Sequence, residues 1–163
     1  MDMSIIRDFI LRKVKTMYHN NKELGNDFES KLEDILGNYG YCVYHTPNKN
    51  SGQPCDLISA KNNYIVLLDS KHCDKDYFEF KDIRENQLLC FELNKRKGNT
   101  NTGFAIYFKP KNQRFVMSYD KYTYLAKMLK KRANPSELEP INDYLKSVER
   151  RMNENKPSGS NKN

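Results

Sequence analysis

Apolar residues at helical spacing alternate along this chain with short, continuously apolar runs, and the order of the two patterns outlines an α/β domain. Ile5, Ile6, Phe9, Ile10, Val14 and Met17 recur every three or four residues, predicting an amphipathic helix over residues 4 to about 20 with Arg7, Arg12, Lys13 and Lys15 on its polar face. A second helix is predicted from Asn26, with Phe28, Leu32, Ile35, Leu36 and Tyr39 on one side and a stop at Gly37 to Gly40. Strands are expected at Tyr41–His45 and Cys55–Ala60, joined by the breaker-rich loop Thr46–Pro54. Lys61-Asn62-Asn63 then turns the chain back into the apolar run Tyr64–Leu68, which makes a hairpin. Beyond the polar stretch His72–Lys81, a helix is predicted over 84–97 with Gln87, Cys90, Phe91 and Asn94 along one face. Strands at Phe104–Phe108 and Arg114–Ser118 lead to a basic helix, Tyr119–Arg132, containing Tyr122, Leu125, Ala126 and Leu129. A linker, Asn134–Pro140, and a last helix, Ile141–Met152, follow. The pattern divides the chain into an N-terminal helix for dimerisation or packing (1–24), a core (25–132), a C-terminal linker and helix (133–152) and a disordered polar tail (153–163).

The run Tyr64–Leu68 ends in Asp69-Ser70-Lys71. Because side chains alternate along a strand, Asp69 and Lys71 project from one face, about 7 Å apart along the backbone. A carboxylate there can hold a hard divalent cation, and the neighbouring ammonium can steady an attacking water or the charge on a phosphate. The hairpin brings the Asp56 end of its first strand to the same place, since antiparallel neighbours with a short turn match their outer ends. Two further side chains have two readings each. Glu29 lies three residues after Asn26, which suits a capping box, and it also borders the apolar face beside Phe28, from where it can point at the site. Gln87 is either a satisfied, semi-buried amide or a group that reaches the site.

Charge sharpens the picture once it is located. The net charge is +7, and between Lys109 and Arg132 lie eight basic residues, including Lys109, Lys111, Arg114, Lys127, Lys130 and Lys131, against the single acid Asp120. Everywhere else acids and bases balance. A concentrated basic segment is the footprint of a polyanionic partner, although a solvated Lys-rich helix gives the same composition. The four cysteines, Cys42, Cys55, Cys73 and Cys90, show no C-x-x-C spacing and are read as reduced thiols, not zinc ligands. No apolar run is long enough to cross a bilayer and the N-terminus lacks a signal-peptide pattern, so a soluble, intracellular protein is expected, cytoplasmic, nucleoid-associated or virally encoded.

The order helix-Glu29, Pro54-x-Asp56, Asp69-x-Lys71, helix-Gln87 resembles the PD-(D/E)xK nuclease superfamily. More narrowly, Gly25-Asn-Asp-Phe-Glu29, Asp69-Ser-Lys71, Tyr77 to Gln87 and Gly103 to Phe108 resemble the RecU family of Holliday junction resolvases, while Gly40 to Lys71 is closer to the shorter archaeal resolvases. The resemblance implies a restriction-endonuclease-like core, a central mixed β-sheet flanked by helices. It implies that Glu29, Asp56 and Asp69, with the Ser70 carbonyl, bind Mg²⁺ or Mn²⁺, that Lys71 orients or activates the hydrolytic water, and that Gln87 supports the site. It also implies cleavage of branched DNA, most often four-way junctions, by a homodimer. Lys49 and Ser51 of the loop and the basic 109–132 segment are expected on phosphates. Two departures stand out: Cys55 separates Pro54 from Asp56, and the short loop Thr46–Pro54 occupies the place where RecU proteins carry a long stalk. Cleavage of duplex or flap DNA, and a non-catalytic module that recognises DNA structure, remain alternative expectations.

Overall fold

The computed structural model describes residues 27–47 and 52–155; the helix expected at 4–20, Asn26, Lys49, Ser51 and residues 156–163 lie outside them. Helix α1 covers 27–38. It is followed by β1 (Cys42–His45), β2 (Leu57–Lys61), β3 (Tyr64–Cys73), the short β4 (Phe78–Glu79), α2 (Glu85–Arg96), β5 (Thr102–Phe108), β6 (Gln113–Ser118), α3 (Tyr119–Lys127), β7 (Arg132–Ala133), β8 (Glu139–Pro140) and α4 (Ile141–Glu154). Six strands form one sheet in the order β1-β2-β3-β5-β6-β8, and β4 pairs with β7 in a separate ribbon. Neighbours are antiparallel except β3 and β5, which run parallel and are joined through α2. This is the expected mixed sheet between helices.

Each face of the sheet buries its own apolar layer. On one, Leu57, Val66, Leu68, Ala105 and Val116 pack against Phe28, Leu32 and Leu36 of α1 and Ile141, Tyr144, Leu145 and Val148 of α4. On the other, Leu67, Phe104, Ile106, Phe108 and Met117 pack against Phe91 of α2 and Tyr119 and Leu125 of α3. The alternation of strand side chains therefore decides which helix each residue of β3 can meet: even positions look toward α1 and odd positions toward α2. Gly103 seats β5 against β6, because a Cβ there would fall 2.5 Å from the Met117 carbonyl oxygen and 2.9 Å from Ser118 Cα.

Several boundaries differ from those the pattern predicts. Strand β3 runs on through Asp69-Ser70-Lys71 to Cys73, because β5 supplies ladder partners for Leu67 through Cys73 whatever their polarity. The polar stretch after it contains β4. Helix α3 stops at Lys127 and not at Arg132, because Leu129 turns into the left-handed region at φ 59°. The expected linker 134–140 contains a 3₁₀ turn at Pro135–Glu137 and β8, which joins the main sheet opposite Phe115 and Val116. Residues 133–152 thus share the packing of the core, with Tyr144, Leu145 and Val148 of α4 fully enclosed.

Candidate active site

The hairpin register sets the site. Leu57 pairs with Leu68, so Asp56 arrives opposite Asp69, as the turn at Asn62 (φ 54°) requires. Strand β2 stops there while β3 continues, which leaves one edge of β3 open beyond Leu68. Asp56 fills that edge: its backbone N–H donates to the Leu68 carbonyl at 3.2 Å, and its Oδ2 accepts the Ser70 backbone N–H at 2.7 Å, where a backbone carbonyl of a longer β2 would have stood.

On the α2 side of β3 lie Asp69 and Lys71. Lys71 Nζ is 2.9 Å from Asp69 Oδ2. Gln87, on the first turn of α2, joins the two: its Nε2 donates to Asp69 Oδ1 at 2.6 Å, and its Oε1 accepts from Lys71 Nζ at 3.1 Å and from the Arg84 backbone N–H at 3.0 Å. Two donors on the amide oxygen fix which way Gln87 faces, and the bond to Arg84 satisfies one of the orphan N–H groups at the helix start. Gln87 and Asp69 are 3% and 1% exposed, so this cluster is part of the interior.

On the α1 side, Ser70 Oγ lies 2.7 Å from Asp56 Oδ2 and 3.2 Å from Glu29 Oε1. Glu29 therefore faces the site; Asn26, its capping partner in the alternative reading, is outside the described residues. One hydroxyl proton cannot serve two carboxylates, so either one acceptor is unmet or Glu29 itself holds a proton and donates back. Burial raises the Glu29 carboxyl above its usual range, and the negative charge of Asp56 raises it further. Burial also pushes Asp69 up to about 7, against the opposing pull of Lys71 and with Asp56 adding to the rise.

Three carboxyl groups thus meet in one cleft lined by Glu29, Gln53, Asp56, Asp69, Ser70, Lys71, Arg84 and Gln87. As placed, no three acidic, histidine or cysteine side chains among the described residues stand close enough together to ligate one ion. The reason is visible in β3: Asp69 and Ser70 point to opposite faces, and the Ser70 hydroxyl occupies the space between Glu29 and Asp56. The donor set still suits a hard cation. It consists of carboxylate oxygens, two of them raised by burial and mutual repulsion that a positive ion would relieve, and Asp69 Oδ2 is buried without a hydrogen-bond partner despite the nearby ammonium.

Two lining residues escape the sequence reading. Gln53 donates through Nε2 to Asp56 Oδ1, and its own carbonyl accepts from Asn86 Nδ2 at 3.1 Å, which ties the loop before Asp56 to α2. Arg84 enters the cleft from the helix start. Gln53 sits three residues before Asp56, a spacing at which a turn lets side chains meet, whereas nothing local marks Arg84. Of the basic residues singled out for phosphate contact, Lys109 and Lys111 are exposed in the β5–β6 turn, with Lys109 3.7 Å from Asp74. Arg114 lies over the Tyr107 ring at 5.3 Å and Lys130 is ion-paired with Glu137. Lys127 and Lys131 are exposed, with no ion pair among the described residues. Lys49 and Ser51 lie outside those residues. The four cysteines form no disulfide among the described residues.

A mixed sheet that offers an acid, a D-x-K strand and a supporting glutamine helix at one end is the core of a PD-(D/E)xK nuclease. The family model for recombination protein U matches residues 47–155, and the chain belongs to that RecU family. Glu29 precedes the matched segment. Among solved structures, Archaeoglobus fulgidus Hjc, a Holliday junction resolvase from an archaeal hyperthermophile, matches with a TM-score of 0.55 at 13% identity, over 74% of this chain and 99% of that one. At such identity the likeness is one of fold. D212, a nuclease from a fusselovirus, matches with a TM-score of 0.43 and 11% identity over 93% of this chain and 97% of its own. No curated protein sequence matches the chain. Among the described residues, no helix is long and apolar enough to cross a membrane.

Proposed function

We propose that this chain is a divalent-metal-dependent endonuclease that hydrolyses phosphodiester bonds in branched DNA, a Holliday junction resolvase that cuts as a homodimer. The observation that carries the reading is the buried Asp69–Lys71–Gln87 cluster beside Asp56 and Glu29, in a chain of the RecU family. Glu29, Asp56 and Asp69, with the Ser70 carbonyl, would hold Mg²⁺ or Mn²⁺. Such an ion lowers the pKa of a bound water and offsets charge on the phosphate. Lys71 carries three N–H donors; one goes to Gln87 Oε1 and Asp69 stands beside the ammonium as its counter-ion, which leaves a donor for a water oxygen or a phosphate oxygen at the cleft. Gln87 keeps Lys71 and Asp69 in register, and Gln53 does the same for Asp56. A homodimer follows from the reaction, since resolving a junction takes two symmetric nicks and two-fold pairing supplies two sites. The cations Lys109, Lys111, Arg114, Lys127, Lys130 and Lys131, and Lys49 and Ser51 of the loop, are proposed phosphate contacts, which position DNA without reading sequence.

Incubation with Mg²⁺ and matched synthetic four-way, three-way, linear duplex and single-stranded DNAs tests the proposal. Paired nicks confined to the four-way substrate are expected, with Lys71→Ala and Asp56→Asn silent but still bound. Nicks spread over duplex or flap substrates would move the chain to another nuclease of the same core. One observation favours a binding-only protein, the separation of the acids on two faces of β3; binding without cleavage at any metal concentration would select it.

A further inference from the structure

The turn that ends α3 departs from what its geometry asks. Leu129 N–H donates to the Ala126 carbonyl at 2.9 Å and Lys130 N–H to the Leu125 carbonyl at 3.1 Å, the paired bonds of a Schellman C-cap. The residue in the left-handed position of that cap is ordinarily glycine, because a Cβ there crowds the following carbonyl. Here it is Leu129, at φ 59°. Among the described residues its side chain gains no packing in return, being 88% exposed, and Met128 beside it is 62% exposed. A branched apolar side chain held at a backbone cost and covered by none of the described residues calls for a role outside the fold.

The surroundings say what kind of partner suits it. Lys127, Lys130, Lys131 and Arg132 bracket the two apolar residues, and Lys127 and Lys131 are exposed without an ion pair among the described residues. The stems are firmly held: Phe80 N–H donates to the Lys131 carbonyl at 2.9 Å, β7 pairs with β4, and the Arg132 guanidinium lies 4.9 Å over the Tyr77 ring. From Phe80 the chain reaches Arg84, in the cleft, in four residues, a span of at most about 14 Å, or roughly four base steps of one strand. Where the polyanion is the DNA of the nuclease reading, the apolar surface it offers such a side chain is chiefly the faces of its bases.

We propose that Leu129, backed by Met128, is a wedge that stacks on the exposed base pair at a DNA branch point while Lys127 and Lys131 hold the flanking phosphates. In continuous duplex the wedge would have to part stacked bases, whereas at a branch the stack is already interrupted, so the contact favours branched over linear DNA. The inference rests on the nuclease reading above and assigns to this turn the recognition of the branch.

The test uses the full chain, with chelator present to hold cleavage off, and DNAs carrying 2-aminopurine at the branch point or at the matching position of linear duplex. The wild type is expected to change 2-aminopurine emission at the branch on binding. Leu129→Gly should melt no lower than wild type, since glycine relaxes the cap, yet lose that emission change and bind the four-way DNA about tenfold more weakly, the scale of one leucine side chain no longer buried. Linear duplex affinity should not move, and Leu129→Met should behave as wild type. An unchanged emission response and affinity in Leu129→Gly overturns the wedge and leaves the nuclease reading intact. A Leu129→Gly chain that instead changes its oligomeric state in sedimentation assigns the patch to self-contact and also overturns it. If the wild type binds none of the DNAs, both readings fall.

Discussion

The two halves of the cleft are built differently. Around Asp69 every polar partner is fixed: Gln87 bonds both Asp69 and Lys71, its own oxygen is pinned by the Arg84 N–H, and α2 and β3 are rigid elements of the core. Around Asp56 the partners are the Ser70 backbone N–H, a Ser70 hydroxyl whose one proton two carboxylates compete for, and a glutamine on a loop. The first half is preorganised and largely buried; the second can rearrange. For a metal-dependent nuclease that is a useful division, because the ammonium must be aimed in advance, while the carboxylates must be able to close on an ion.

The largest effect should come from the rigid half. Lys71→Ala removes the only ammonium that reaches Asp69 among the described residues, and is expected to lower cleavage by about a thousandfold, the scale seen when one oriented donor is lost. Binding of branched DNA, read by gel shift in chelator, should hold. Cleavage that survived the change would show that the amine has no part in the chemistry.

Next in size is a direct comparison of the two supporting glutamines. Gln87→Ala strands a buried carboxylate oxygen and loosens Lys71, so a loss of about 10–100-fold in rate is expected, together with roughly 1–3 kcal/mol of stability from the unmet buried groups. Gln53→Ala touches only a half-buried carboxylate on a loop and should cost a few-fold in rate and leave the melting temperature where it was. Equal losses for the two would break the contrast between a fixed and an adjustable half.

Much of the rigid half can be read from the chain itself, and the reasons are local. The alternation of side chains along a strand puts Asp69 and Lys71 on one face, the tight turn at Asn62-Asn63 sets the register that brings Asp56 opposite, and the helical pattern after Asp82 places Gln87 on an inward face. The adjustable half depends on what happens between elements. Whether Glu29 caps its helix or faces the site is decided by how α1 lies across β3, and Gln53 and Arg84 enter the cleft through loop packing that no periodicity encodes. The same holds for the end of α3. Leu129 continues a helical apolar pattern perfectly well, yet in the fold it turns into the left-handed cap and the chain leads on into β7, paired with β4. Residues 134–140, rich in proline and acids, read as a linker because a two-residue strand such as β8 is too short to carry an alternating pattern.

Asp69 allows the rigid half to be followed by pH. Its carboxyl titrates near 7 in the folded chain and near 3.8 in its ordinary state. Between those values the folded chain keeps a proton that the unfolded chain has lost, so stability should fall as pH rises through that window and level off above about 7. Metal binding needs the carboxylate, so apparent Mn²⁺ affinity, followed by calorimetry, should rise by about tenfold per pH unit below 7 and flatten above it. A profile already flat between pH 5 and 7 would mean that Asp69 is not a ligand, or that its burial is relieved before the ion arrives.

The smallest expected change separates the halves most cleanly. Glu29 is costly to ionise in the folded chain because of burial and the charge of Asp56, so Glu29→Gln removes a penalty and keeps a side chain of the same length beside Ser70. At pH 8 in chelator the variant should melt about 1–3 °C above wild type, and the difference should vanish in acid, where the wild-type carboxyl is protonated too. Added Mn²⁺ should reverse the order, raising the melting temperature of the wild type more than that of the variant, since an ion that binds only the folded state stabilises it more the tighter it binds. If Glu29→Gln lowers the melting temperature in chelator, the carboxylate is serving the helix start and not the cleft, and the adjustable half of the site shrinks to Asp56 and Ser70.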